Sequence, residues 1–122
     1  METHLWGTSR HRHVDELTEE VAICATKAGG ASSMHFHRGK SNTFLVLSGR
    51  LAVDTEDGTR RVLGPHQSVT VAPRVRHRMV FLEPTEAIEL YVAIPGSKID
   101  TRDIVRLDEG WRPGERSISR SR

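Results

Sequence analysis

His35 and His37 stand one residue apart, and a third histidine, His77, follows a proline turn further along the chain. The first two fall inside a predicted strand, Ser32 to His37. Side chains alternate across a strand, so the pair points to one face. Two imidazoles on adjacent rungs of one face can chelate one divalent cation, and imidazole suits Zn, Cu, Fe and Ni. Taken alone, the H-x-H spacing equally describes two surface histidines. His11 and His13 repeat it within a polar, irregular stretch and read as solvated groups. His66 lies in a turn facing solvent or a cavity mouth, and His4 is near the start.

The elements that must position these groups are short strands. Val21 to Lys27, Ser32 to His37, Thr43 to Ser48, Arg50 to Thr55, Arg60 to Leu63, Ser68 to Ala72, Arg76 to Phe81 and Glu86 to Ala93 are rich in Val, Ile, Leu, Thr and Phe. Gly29-Gly30, Ser48-Gly49, Asp57-Gly58, Gly64-Pro65 and Glu83-Pro84 separate them. Asp57-Gly58 is a hairpin turn, because glycine accepts the positive φ that a tight hairpin needs. Such spacing predicts an all-β, antiparallel sandwich or barrel. Residues 1–20 read as an irregular arm, 21–107 as the barrel and 108–122 as a tail, with Ile99 to Leu107 a strand or edge segment. By parity, Asn42, Phe44 and Val46 share one strand face, which should be the inner one if Asn42 lies near a bound cation. Leu45 and Leu47 share the other, which a second sheet or a partner subunit should cover.

Length and composition fit this plan. A chain of 122 residues with 36% hydrophobic and 28% charged residues suits one soluble domain with one core. Lys plus Arg exceed Asp plus Glu only by 18 to 16. No basic stripe with interleaved aromatics is present, so a nucleic-acid partner is not expected. The polar start argues against a signal peptide or membrane anchor. The lone cysteine, Cys24, cannot form an internal disulfide and reads as a small buried hydrophobe. A cytoplasmic location is the expectation.

Gly29, His35, His37, Asn42 and Gly49, with Pro73 and His77, resemble the two motifs of the cupin family, G-x5-H-x-H-x(3,4)-E-x6-G and G-x5-P-x-G-x2-H-x3-N. Every spacing of the first is met, with Asn42 in place of the family's glutamate. The second is matched in its framework through Leu63, Pro73 and His77, with Arg74 at a glycine position and Phe81 at the terminal asparagine. The resemblance implies a single-domain jelly-roll barrel in which His35, His37 and His77 hold one divalent transition metal (Zn, Fe, Mn, Ni or Cu), with Asn42 as a weak further ligand. It also implies a homodimer. Phe44, Met79, Phe81, Arg74 and Tyr91 are the candidate pocket residues around a small-molecule ligand.

Within that family the chain is most similar to the cupin domain of type II mannose-6-phosphate isomerases. Trp6-Gly7, Met34 to Arg38, Val46 to Gly49 and Asp103 to Asp108 carry the similarity, the last resembling that family's E-D-D-I-V-R segment. Ser33, Val92, Ile94 and Trp111-Arg112-Pro113 stand where those isomerases carry other groups. The expectation is a metal-dependent enzyme on a small organic molecule, isomerase-like or dioxygenase-like. A non-catalytic barrel that binds a sugar or carboxylate is the alternative, and a structural or absent metal is a third. Glu86, Glu89, Asp54 and Glu56 are the acids near the motifs, and the sequence places none of them.

Overall fold

The computed structural model describes residues 1–116. The strands are β1 (Glu2–Thr3), β2 (Thr8–His13), β3 (Thr18–Ala25), β4 (His35–Phe36), β5 (Lys40–Ser48), β6 (Leu51–Thr55), β7 (Arg60–Leu63), β8 (Ser68–Val71), β9 (His77–Phe81), β10 (Thr85–Ala93) and β11 (Val105–Arg106). All named pairings are antiparallel. One sheet runs β1-β2-β3-β10-β5-β8 and the other β11-β4-β9-β6-β7. Among the described residues no helix is long and apolar enough to cross a membrane.

The two sheets face each other across one core, as the alternation of the strands requires. Strand β5 buries Lys40, Asn42, Phe44 and Val46 and turns Leu45 and Leu47 outward. The opposite sheet contributes Leu51, Val53, Met79 and Phe81 to the same cluster. Gly49 closes the β5–β6 hairpin at φ 89°, where an added Cβ would lie 2.1 Å from the Pro84 carbonyl oxygen. Only glycine fits so close an approach in left-handed backbone.

Four expectations need correction. The first twenty residues are not an irregular arm. Strand β2 pairs with β3 from Thr8↔Cys24 to His13↔Glu19, and Trp6 is buried against Phe81 at 5.0 Å between ring centroids. Sequence patterning misses β2 because Thr-Ser-Arg-His-Arg-His is polar on both faces. The segment after 107 is not all tail. The Trp111 ring is buried, its backbone bridges Ala31, and its indole N–H donates to the Gly29 carbonyl at 3.0 Å; residues 117–122 lie outside the described residues. Cys24 is half-buried, not buried, because its position on β3 alternates with the inward Ile23 and Ala25. The expected strand from Ser32 is reduced to His35–Phe36, since Val105 and Arg106 pair there over only two residues.

Candidate metal centre

Register sorts the interior into rows. On the six-stranded sheet, Glu19, Tyr91 and Asn42 are cross-strand neighbours, and Val21, Glu89 and Phe44 form the next row. Further along, Ile23, Ala87 and Val46 are apolar. The facing sheet shows the same gradient. His77, Met79 and Phe81 are successive inward residues of β9, and Phe81 pairs with Leu51. One end of the interior is therefore polar and the other hydrocarbon.

At the polar end, His35, His37 and His77 converge. All three are buried, and their candidate ligand atoms lie within 4.8 Å of one another. Each ring is turned by the same device. Nδ1 of His35 meets the Ser33 carbonyl oxygen, Nδ1 of His37 that of Asp103 and Nδ1 of His77 that of Val75, all at 2.8 Å. A carbonyl only accepts, so each Nδ1 carries the proton and each Nε2 keeps its lone pair. Nε2 of His37 and of His77 are buried without any protein partner. Buried polar atoms are rarely left so, and metal-ligating histidines characteristically donate their other ring N–H to an outer partner. The donor set therefore fits a transition-metal ion.

Electrostatics agrees with neutral, ligand-ready rings. Burial, reinforced by the neighbouring His77 and His37, pushes the His35 pKa down to about 3. Burial pushes His37 down to about 4, against the opposing hydrogen bond to Asp103. His77 is lowered by burial as well.

Asn42 stands at 0% exposure beneath this cluster. Its Nδ2 donates to Glu89 Oε1 at 3.2 Å, while its Oδ1 has no partner. Tyr91 donates its hydroxyl to the same Glu89 oxygen at 3.0 Å. Burial raises the Glu89 pKa, partly countered by these two hydrogen bonds. Burial and the Glu89 carboxyl raise Tyr91 well above its ordinary value. A cavity of about 180 Å³ opens onto His35, His37, Met79, Glu89, Tyr91 and Lys40. Lys40 is buried, with its ammonium on the Asp100 carbonyl at 2.8 Å and 4.5 Å from the Tyr91 ring centroid.

Of the candidate pocket residues, Met79 and Tyr91 line this cavity. Phe44 packs edge-on to His77 at 5.9 Å. Phe81 does not wall the site. Four residues of strand beyond His77 carry it about 13 Å toward the apolar end, where it meets Trp6. Arg74 is exposed on a surface groove with Glu56 and Arg76. Counted back from His77, the glycine positions of the second motif fall on His66 and Arg74. These are the non-glycine residues with left-handed backbone among those described, at φ 67° and 69°. The motif's framework therefore runs through His66 and Arg74, not through Leu63 and Pro73. Arg74 earns its place through its backbone, whose N–H donates to the His37 carbonyl at 2.6 Å and ties the two histidine loops together.

Sequence reasoning left several site residues unplaced. Glu89 alternates with Ala87 and Tyr91, but the other face of β10 carries Ile88, Leu90 and Val92. A hydrophobicity argument would turn that face inward, and only the register with Asn42 and Phe44 shows otherwise. His11 lies between Glu2 at 2.7 Å and the buried Glu19 at 2.9 Å, at the rim of the cavity. No signal short of recognising β2 would have found it.

The cupin domain family matches residues 22–93 of the sequence. Among solved structures, the chain is similar to KdgF from Halomonas sp., at 20% identity and a TM-score of 0.69, over 79% of this chain and 86% of that one. It is similar to oxalate decarboxylase from Bacillus subtilis at 17% and 0.67, over 85% of this chain and 28% of that one. It is also similar to the cupin domain of an XRE-family transcriptional regulator from Enterobacter cloacae, at 21% and 0.64, over 73% and 98%. No curated protein matches the sequence. Likeness at such identity establishes the fold and leaves the chemistry to the site. The family match across most of the strands, with the three histidines at its motif positions, settles the affiliation: the chain belongs to the cupin family.

Proposed function

We propose that this chain is a metal-dependent enzyme that moves a proton within a small, oxygen-bearing organic molecule, as an isomerase does. One observation carries the reading: three buried imidazoles, each tied through Nδ1 to a carbonyl, bring ligand atoms within 4.8 Å of one another beside a cavity that also holds a buried carboxyl. His35, His37 and His77 would hold one divalent transition metal, with the unpartnered Asn42 Oδ1 as a weak fourth donor. When bound, such an ion polarises a carbonyl or hydroxyl oxygen of the substrate.

The remaining work falls to the chain. Tyr91 and Asn42 both hold Glu89 Oε1, so the carboxyl is oriented by two donors on one oxygen. Burial favours the protonated carboxyl, and a carboxyl set against a bound molecule can give and take a proton. Lys40 offers a cation to a hydroxyl or carboxylate of the ligand. A volume of about 180 Å³, below the ~300–1,000 Å³ of most drug-sized pockets, suits a compact molecule. Kinship with type II mannose-6-phosphate isomerases is the finer form of this proposal. It is supported by the Asp103 to Asp108 run, which packs on the histidine strand through Val105 and Arg106. A homodimer, formed through the outward Leu45, Leu47, Ile88, Leu90 and Val92, and a cytoplasmic location belong to the same proposal.

The test is solvent-deuterium incorporation into a panel of compact α-hydroxy aldehydes and ketones by the metal-loaded protein. Incorporation that needs the metal and is lost in Glu89→Gln is the expected result. Oxygen consumption without exchange would move the assignment to an oxygenase. Saturable binding with neither would leave a sensing barrel, a second reading that the amide at Asn42, where the family motif has a carboxylate, favours.

A further inference from the structure

The three histidine clamps are not alike. Ser33 and Val75 each lie two residues before the ring they hold, so His35 and His77 are oriented by their own loops. His37 is oriented by the carbonyl of Asp103, which lies 66 residues away in sequence. That carbonyl can hold the ring only if the segment carrying it is itself fixed. The β4–β11 pairing and the Ile99 N–H on the Glu16 carbonyl hold its flanks, and the Asp103 carboxylate fixes the turn itself against the His37 loop. Its Oδ1 accepts the Arg38 backbone N–H at 2.9 Å and its Oδ2 accepts that of Gly39 at 2.7 Å. These are the two residues immediately after His37. A bidentate carboxylate on consecutive amides is charge-assisted and directional. One residue therefore grips the histidine loop twice, through its side chain on the backbone and through its backbone on the ring.

We infer that Asp103 is a positioning residue of the metal centre, holding His37 in the tautomer and orientation that present Nε2. The consequence for metal affinity rests on the function proposed above; the positioning itself does not. With the carboxylate removed, the turn from Asp100 to Asp103 keeps its Lys40 contact, its internal bonds and the flanking anchors at Ile99 and Val105, but loses both bonds to the loop after His37. The His37 ring then exchanges a fixed carbonyl partner for water, and either nitrogen can carry the proton. His35 and His77 keep their local clamps. Loss of such an outer partner typically weakens metal affinity by about 10–100-fold.

The experiment has two readouts on the full-length protein, wild type beside Asp103→Ala and Asp103→Asn. Long-range ¹H–¹⁵N NMR of the metal-free protein at neutral pH reports the tautomer of each ring. The expected result is Nδ1–H for all three rings in the wild type, and a mixture at His37 alone in Asp103→Ala. Cobalt(II) titration against a competing chelator then reads affinity and the visible ligand-field spectrum. Asp103→Ala should bind about 10–100-fold more weakly with an altered spectrum. Asp103→Asn, which keeps one acceptor oxygen, should recover part of both. A His37 tautomer and a cobalt affinity unchanged in Asp103→Ala would overturn the inference. A wild type that binds no cobalt but shows the selective His37 change would sustain the positioning role and defeat the metal reading. Should the alanine variant not fold, the asparagine variant carries the same comparison: an unchanged tautomer and spectrum there overturn the inference.

Discussion

The two ends of the interior are built from the same strands yet obey different physics. At one end Leu51, Phe81, Val46 and Ile23 fill space as hydrocarbon. At the other, β9 and β5 carry His77 and Asn42, and β10 carries Glu89 and Tyr91, all buried but polar. Burial of Leu or Phe stabilises by about 1.5–3 kcal/mol each. Burial of a polar group costs unless a partner is supplied. The apolar end therefore supports the fold, and the polar end draws on that support to keep imidazoles neutral and lone pairs free. The division lies within single strands: β9 passes from His77 through Met79 to Phe81, and β5 from Asn42 through Phe44 to Val46.

The largest effect should come from opening the apolar end. Phe81→Ala empties a fully buried ring site against Trp6 and should cost about 3–5 kcal/mol, read by chemical denaturation of the metal-free protein. A loss under about 1 kcal/mol would mean that this end is not the fold's main support.

The acid response sharpens the contrast. His35 and His37 are held at about 3 and about 4 by burial, against 6.5 in the unfolded chain. Below 6.5 the unfolded chain binds protons that the folded chain refuses. Stability present above that pH is therefore lost as pH falls toward 4 and then 3. Over that window each imidazole removes up to about 1.4 kcal/mol per pH unit. Denaturation midpoints of the metal-free protein at a series of pH values check this, and a His35→Gln variant should flatten the profile. A wild type equally stable at pH 7 and pH 4.5 would contradict the burial account.

The smallest effect should be at Glu89. Exchanging its carboxyl for an amide keeps the volume and the acceptor for Asn42 and Tyr91. Glu89→Gln should shift stability by less than about 1 kcal/mol, measured by the same denaturation, while deuterium exchange is lost. A large destabilisation would make Glu89 a structural group.

What the sequence made legible follows the same division. Alternation put Asn42, Phe44 and Val46 on one face, but Leu45 and Leu47 make the other face apolar too, so it was the motif position of Asn42 that pointed the first face inward. The H-x-H spacing was ambiguous by itself, and the resemblance to the two cupin motifs nominated the three histidines that the fold brings together. Strand β2 escaped because it lines a polar rim, where the period-two contrast vanishes. Glu89 escaped because Ile88, Leu90 and Val92 make the outer face of β10 the more hydrophobic one. Asp103 escaped because its bonds to Arg38 and Gly39 join segments far apart in the chain, a relation no local pattern carries.

The central claim is that His35, His37 and His77 form one metal site. It is tested most directly by elemental analysis of the purified protein, with and without reloading by zinc, iron, manganese, nickel or copper, beside His77→Ala. One transition-metal ion per chain in the wild type, and none in a variant that remains folded by circular dichroism, is the predicted result. A wild type that stays metal-free after reloading, or a folded His77→Ala that keeps a full equivalent, would contradict it.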